Sequence, residues 1–361
     1  VKTSIARLWL CAATLAALLA PQSGAFAKDE PSPALQALIK AAQAEGTLNV
    51  VWGPSLGAAK GAKALQDGMN KMYGTTITVN YTPGPSFPQM ASRVVQEVQA
   101  GRPNTTDVVL GAETTIVTLM QGGALQAVDW GKYFSNITPE MKTKNNQAVQ
   151  VVSLFSGVYY NTRFVKPNEV PHKMADIFKP QWKGKIASTP YAVNFDRLAL
   201  VFGDAAIRPI VEKTSEWAGG LITCGEYQRL ASGEFILMFF DCGRGDERLS
   251  VKNGGPMDEV ILDDAAITVD WFLGVPKNTA KPNLAKLFVG FMTTPEGQKI
   301  IQDYGYTSSA HVPGTAAYEQ TKRIEASGAK IVSLSPDEII LRQKELEAFR
   351  KEYQQILRVK H

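Results

Sequence analysis

Histidine and cysteine are scarce in this 361-residue chain, with three of each. His172, His311 and His361 stand far apart, and no Cys or His cluster has the spacing of a metal site. Walker and dinucleotide glycine loops are missing as well. His311 follows Ser308-Ser309-Ala310, but no third partner completes a hydrolytic triad. The sequence thus gives catalysis little support and calls for no cofactor. An excess of one charge is lacking too. Lys and Arg number 38 against 34 Asp and Glu, a formal net charge of +4 with no block of like charges. That balance leaves no electrostatic footprint for nucleic acid.

Long apolar runs are limited to residues 8–20, which are too short to span a membrane comfortably. Lys2 and Arg7 precede the run, Pro21 and Gly24 interrupt it, and Ala25-Phe26-Ala27 offers a small-x-small cleavage site. The pattern reads as a signal peptide over 1–27, which implies export. Cys11 lies inside that run, so Cys224 and Cys242 are the thiols of the mature protein. In an oxidising compartment they form either a bridge, stabilising by about 3 kcal/mol, or two separate buried thiols.

The remaining length suits two domains, and its pattern alternates strand with helix. Residues 48–52 read as a strand, 53–57 as a tight loop, and Ala58, Ala62, Leu65, Met69 and Met72 as one face of a helix ending at Gly74. A second strand over 76–81 leads to Ser86 and Gln89, a capping box for a helix burying Met90, Val94 and Val98. A third strand over 107–111 leads through Ala112-Glu113-Thr114 into a further helix. Strand and helix at this spacing argue for an α/β fold with mostly parallel sheets and right-handed crossovers. The same grammar returns with a strand over 151–160, another over 185–188, and a helix over 195–202 with Asn194 at its N-cap and Gly203 at its end. Strands follow over 235–240 and 258–262, then an extended return crossing over 267–276. Asn283 and Thr294 begin helices, and Ser335-Pro336-Asp337-Glu338 opens a last long one.

Gly157-Val158-Tyr159-Tyr160-Asn161-Thr162 and Pro180-Gln181-Trp182-Lys183-Gly184-Lys185-Ile186 resemble a motif pair of the extracellular solute-binding proteins of bacterial ABC importers. The series continues in Ala231-Ser232-Gly233-Glu234-Phe235, Lys252-Asn253-Gly254-Gly255-Pro256, 276–288 and Thr294-Pro295-Glu296-Gly297-Gln298. Each motif is short, and their order along most of the chain carries the resemblance. It implies a two-lobed periplasmic binding protein of type II, with hinge crossings between lobes. Residues 28–145 and 272–308 would form lobe 1, and 146–271 with 309–361 lobe 2. It also implies a periplasmic monomer that hands one small solute to an inner-membrane permease, or a sensory binding protein that feeds a receptor or kinase. The subgroup is the ferric-iron type, whose iron-binding members use adjacent tyrosines on the second lobe. Phe239-Phe240-Asp241 stands there in this chain, so the departure favours a small organic anion over Fe(III).

Ligands of open α/β sheets sit beyond the carboxyl ends of the strands. The loops expected there supply Ser55, Leu56, Glu113, Thr114, Asn194, Phe240, Asp241 and Arg244. Arg197 and Arg244 suit a two-pronged contact to an oxyanion, or an ion pair with Asp196, Asp241 or Asp246. Phe155, Tyr159, Phe240 and Trp271 would pack on an apolar part of the solute, or belong to a core. Tyr160 must face away from Tyr159 because neighbours in a strand alternate.

Overall fold

Glycine and β-branched residues decide how this chain crosses between sheets. The computed structural model describes residues 31–192, 194–223, 226–241 and 254–359. The signal segment, Cys224, Cys242 and Arg244 lie outside the described residues. From Ser32 onward the chain forms one compact unit.

Ser32 caps Pro33–Glu45 (α1), with its hydroxyl accepting from the Leu35 N–H. Thr47–Trp52 (β1) and Thr78–Pro83 (β2) then pair in parallel, joined by Ala58–Tyr73 (α2), as the alternation predicts. Phe87–Gln99 (α3) begins with the Ser86 and Gln89 capping box, and Val109–Ala112 (β3) runs straight into Glu113–Gln121 (α4).

Among the described residues a four-stranded sheet joins β3, Ala148–Ser156 (β4), Ala266–Gly274 (β10) and Ile331–Val332 (β11). In it β10 is antiparallel to β3 and β4, with Trp271 opposite Ala112 and Val152. A five-stranded sheet has the order β7-β6-β8-β5-β9, from Val158–Asn161 (β5), Ile186–Ser188 (β6), Ala218–Leu221 (β7), Leu237–Phe239 (β8) and Met257–Val260 (β9). Here β6 is parallel to β7 and β8, while β5 is antiparallel to β8 and β9.

The expected single strand over 151–160 is therefore two strands in two sheets, divided at Gly157. A Cβ on Gly157 would lie 2.1 Å from the Val260 carbonyl oxygen, so the chain passes there only without a side chain. Phe195–Phe202 (α5) and Asp204–Trp217 (α6) follow β6, and Tyr227–Ala231 (α7) precedes β8. Later come Pro282–Met292 (α8), Pro295–Gly305 (α9) and Ala316–Ala326 (α10). Asn283 does not cap α8 but lies in its first turn, where Glu45 accepts from the Asn283 and Leu284 N–H groups. The expected last helix is broken at Arg342 into Pro336–Leu341 (α11) and Gln343–Arg358 (α12).

Burial separates two large cores. Leu48, Val50, Trp52, Leu110 and Val152 pack with Leu284, Leu287 and Phe288 of α8. Val158, Ile186, Leu198, Leu237 and Phe239 pack with Ile267 and with Tyr353 and Leu357 of α12. A smaller cluster of Val117, Leu200, Leu334, Ile339 and Leu346 lies where α4, α5, α11 and α12 meet.

Candidate functional site

The residues singled out from the sequence divide between strand ends, buried polar networks and cores. After β1, Ser55 is half-buried while Leu56 turns into the first core. After β3, Thr114 is exposed and Glu113 is fully buried. Trp271 lies beside the same strand end and is half-buried, with the Phe87 ring edge-on to it at 5.3 Å. Ser86, which precedes Phe87, and Thr114, two residues after the Ala112 paired with Trp271, are both exposed.

Arg197 has a different set of partners from a solute's. Its Nη1 and Nη2 each donate to Glu113 at 3.0 Å, and Nη1 also reaches the Thr268 carbonyl at 3.2 Å. Glu113 accepts one further bond, from the Asp270 N–H at 2.7 Å. Asp270 in turn accepts from Gln150 at 3.1 Å and Ser333 at 2.7 Å. Burial opposes the Arg197 charge, but the Glu113 charge and hydrogen bonds outweigh it and hold the guanidinium above its ordinary range. Burial likewise pushes the Glu113 carboxyl up, with Arg197 pulling the other way. The fork of Arg197 is engaged by a carboxylate of this chain, so the ion-pair alternative describes what the structure places there. The pair ties the first turn of α4 to α5 and to the return strand β10.

A second buried network joins the crossing to the five-stranded sheet. Asp241 follows β8 and accepts from the Gly157 N–H at 2.7 Å and from the Ser156 hydroxyl at 3.1 Å. Asn194 donates from Nδ2 to Ser156 Oγ at 2.7 Å. Asn194 holds the N-cap position of α5, but its side chain makes no cap hydrogen bond.

The aromatic candidates lie in cores. Phe155 packs with Ala266, Ala317 and Ile324. Tyr159 is fully buried, edge-on to Tyr227 at 5.4 Å, while Tyr160 on the opposite face donates to Asp258 at 3.3 Å. Phe240 meets Phe239 at 4.2 Å and Phe195 at 5.2 Å between ring centres. Phenyl rings supply no ligand to iron, and among the described residues no three His, Cys, Asp or Glu side chains gather as a metal site. Sequence reasoning passed over Ser156, Phe87 and Asp270. Phe87 was discoverable, because it stands three residues before Met90 and shares its helix face. Ser156 and Asp270 acquire partners distant in sequence, and no local pattern marks them.

Residues 64–221 match the family described as bacterial extracellular solute-binding protein. The Fe(3+)-binding periplasmic protein of Serratia marcescens is 23% identical over 136 residues, and the chain spans 38% of the length of this curated relative. Among solved structures, the substrate binding protein of the ABC transporter from Agrobacterium tumefaciens superposes with a TM-score of 0.68 at 20% identity, over 87% of this chain and 94% of that one. The spermidine/putrescine ABC transporter substrate-binding protein PotD from Streptococcus pneumoniae superposes with a TM-score of 0.65 at 15% identity, over 86% and 99%. Proteins similar to this chain are thus named for a metal ion and for polyamines, so the ligand has to be argued from side chains. The chain has the two-lobed fold of periplasmic binding proteins, and under half of its length, residues 64–221, matches the bacterial extracellular solute-binding protein family.

Proposed function

We propose that this protein is the substrate-binding component of an ABC importer, which captures a small organic solute in the periplasm and hands it to a membrane permease. The observation that supports it most is the passage of β4 through Gly157 into β5, with β10 returning beside β4. Two cores are linked there by extended strands, and Asn194 and Asp241 bond to that link at Ser156 and Gly157. On this reading residues 28–145 and 272–308 form one lobe, and 146–271 with 309–361 the other. The packing of α12 on the second core supports that division. The solute favours the closed form by its contacts to both lobes, and the permease recognises that form in a monomeric binding protein. The signal pattern supports a periplasmic location, and among the described residues no helix is long and apolar enough to cross a membrane.

The preference for an organic anion now rests on Arg244, since Glu113 engages the Arg197 guanidinium. Fe(III) is the second reading, favoured by the name of the Serratia relative and opposed by Phe239 and Phe240 where a tyrosine pair would stand. A thermal-shift screen of the chain from Lys28 against carboxylates, amino acids, polyamines, sugars and Fe(III), with visible spectra, tests the proposal. A ligand at a hundred times its Kd stabilises by about 2.7 kcal/mol. An upward shift with an organic solute and no coloured band is the expected result. A shift with Fe(III) and a visible phenolate band supports the iron reading, and no response to any solute overturns both.

A further inference from the structure

Given a solute site at the carboxyl ends of the strands, we propose that Asp241 sets the charge preference of the end of it formed by the β4–β5 crossing. Asp241 occupies the hydrogen-bond donors that an anionic group would need there, so the solute presents a neutral or cationic donor group to this end of the site.

The donors come from the crossing itself. Gly157 has a single N–H, and it points at Asp241 Oδ2 from 2.7 Å. The Ser156 hydroxyl lies 3.1 Å from Oδ1 and 2.9 Å from the main-chain oxygen of the same residue. Because Asn194 Nδ2 donates to Ser156 Oγ at 2.7 Å, the hydroxyl proton is left for Asp241. A backbone N–H and a hydroxyl converging on one oxygen pair is the arrangement that holds a carboxylate or phosphate. In this chain the carboxylate is its own. A solute anion would find both protons engaged and a carboxylate in its place.

The polar atom left over points to the opposite chemistry. Asn194 Nδ2 also lies 3.4 Å from the Asp241 carbonyl, which only accepts, so the amide nitrogen faces this network and Oδ1 is turned away from it. Asn194 is fully buried, and its Oδ1 has no partner. A buried acceptor without a donor is costly, and a hydroxyl, amide or ammonium group satisfies it where an anion cannot. A purely architectural role for Asp241 also has support, since its N–H donates to the Gly157 carbonyl at 3.2 Å. That role accounts for the bonds to Gly157 and leaves the Asn194 oxygen unexplained.

The test reads the donors directly, with formate as the probe. Asp241→Ala in the full mature chain vacates them, and Asp241→Asn keeps a side chain of the same shape over them. Thermal unfolding of both variants and of wild type is followed against formate, with chloride as the ionic-strength control. The expected result is saturable stabilisation of Asp241→Ala alone, about a hundredfold in its folding equilibrium at a hundred times the formate Kd. A variant that folds only with formate present supports the proposal equally. The proposal is overturned if Asp241→Ala ignores formate, stays unfolded in it, or responds no more than Asp241→Asn and wild type do. A solute panel on wild type supplies the second arm. Stabilisation by solutes that carry an amine, amide or hydroxyl, with or without a carboxylate, is expected, and equal stabilisation by carboxylates that carry no donor overturns the charge preference. If no solute binds while formate still rescues Asp241→Ala, the importer reading fails and the place of Asp241 on the donors stands.

Discussion

Replacing Arg197 by alanine should unfold this protein more readily, because the change strands a buried carboxylate. Arg197 gives Glu113 two hydrogen bonds of 3.0 Å, and what remains to Glu113 is the Asp270 N–H. Glu113 is fully buried and Asp270 lies beside it, so the carboxylate cannot turn to water. Removing one partner of such a pair costs about 3–5 kcal/mol, against a total stability of about 5–15 kcal/mol for a typical domain. The assay is equilibrium urea unfolding of wild type, Arg197→Ala, Glu113→Leu and the double variant Glu113→Leu/Arg197→Met. The double variant should recover most of the loss, because it removes both charges and keeps the volume. pH separates the charge effect from the packing effect. Burial pushes the Glu113 carboxyl above the ordinary glutamate value, and without Arg197 nothing on the guanidinium side opposes it. A raised folded value means that the stabilising contribution is whole below the unfolded value and is lost as pH rises through the folded one. The deficit of Arg197→Ala should therefore shrink on acidification. A loss below about 1 kcal/mol, the range of an exposed pair, or a deficit indifferent to pH, would refute the account of the ion pair.

Gly157→Ala places a methyl group where the Val260 carbonyl oxygen stands 2.1 Å away, so β4 and β5 can no longer cross at that point without a shift. A loss of about 1–3 kcal/mol is expected, read by thermal unfolding, and a neutral result would mean that the crossing is pliable. Burial, then the Asp258 carboxylate, raises the Tyr160 phenol from 10.0 to about 12. Its contribution to stability is whole below about 10 and disappears as pH rises through about 12. Tyr160→Phe should delete a late step from the ultraviolet phenolate titration, and loss of an ordinary step near 10 instead would contradict the Asp258 contact.

Local pattern was enough for much of the architecture. The β1-α2-β2 unit, the capping box at Ser86, the helix over 195–202 with Gly203 behind it, and the opposite facing of Tyr159 and Tyr160 depend on spacing along the chain, which the sequence displays. The order of short motifs pointed to the solute-binding family, and the family match and the fold agree. Side-chain partners were much less legible. Arg197 read as an anion ligand or as half of an ion pair, and its candidate partners were Asp196, Asp241 and Asp246. The residue it meets is Glu113, 84 positions away.

What the sequence by itself determined is therefore most of the elements, because helix and strand periods, caps and breakers act over a few residues. Only tertiary structure decided that a continuous-looking strand over 151–160 divides between two sheets at Gly157, since the obstacle is the carbonyl of Val260, far along the chain. It also decided which polar groups face one another. Asp241 meets Gly157 and Ser156 across 84 and 85 positions. A buried charge takes whichever partner the packing brings within about 3 Å, and nothing local to either residue names that partner.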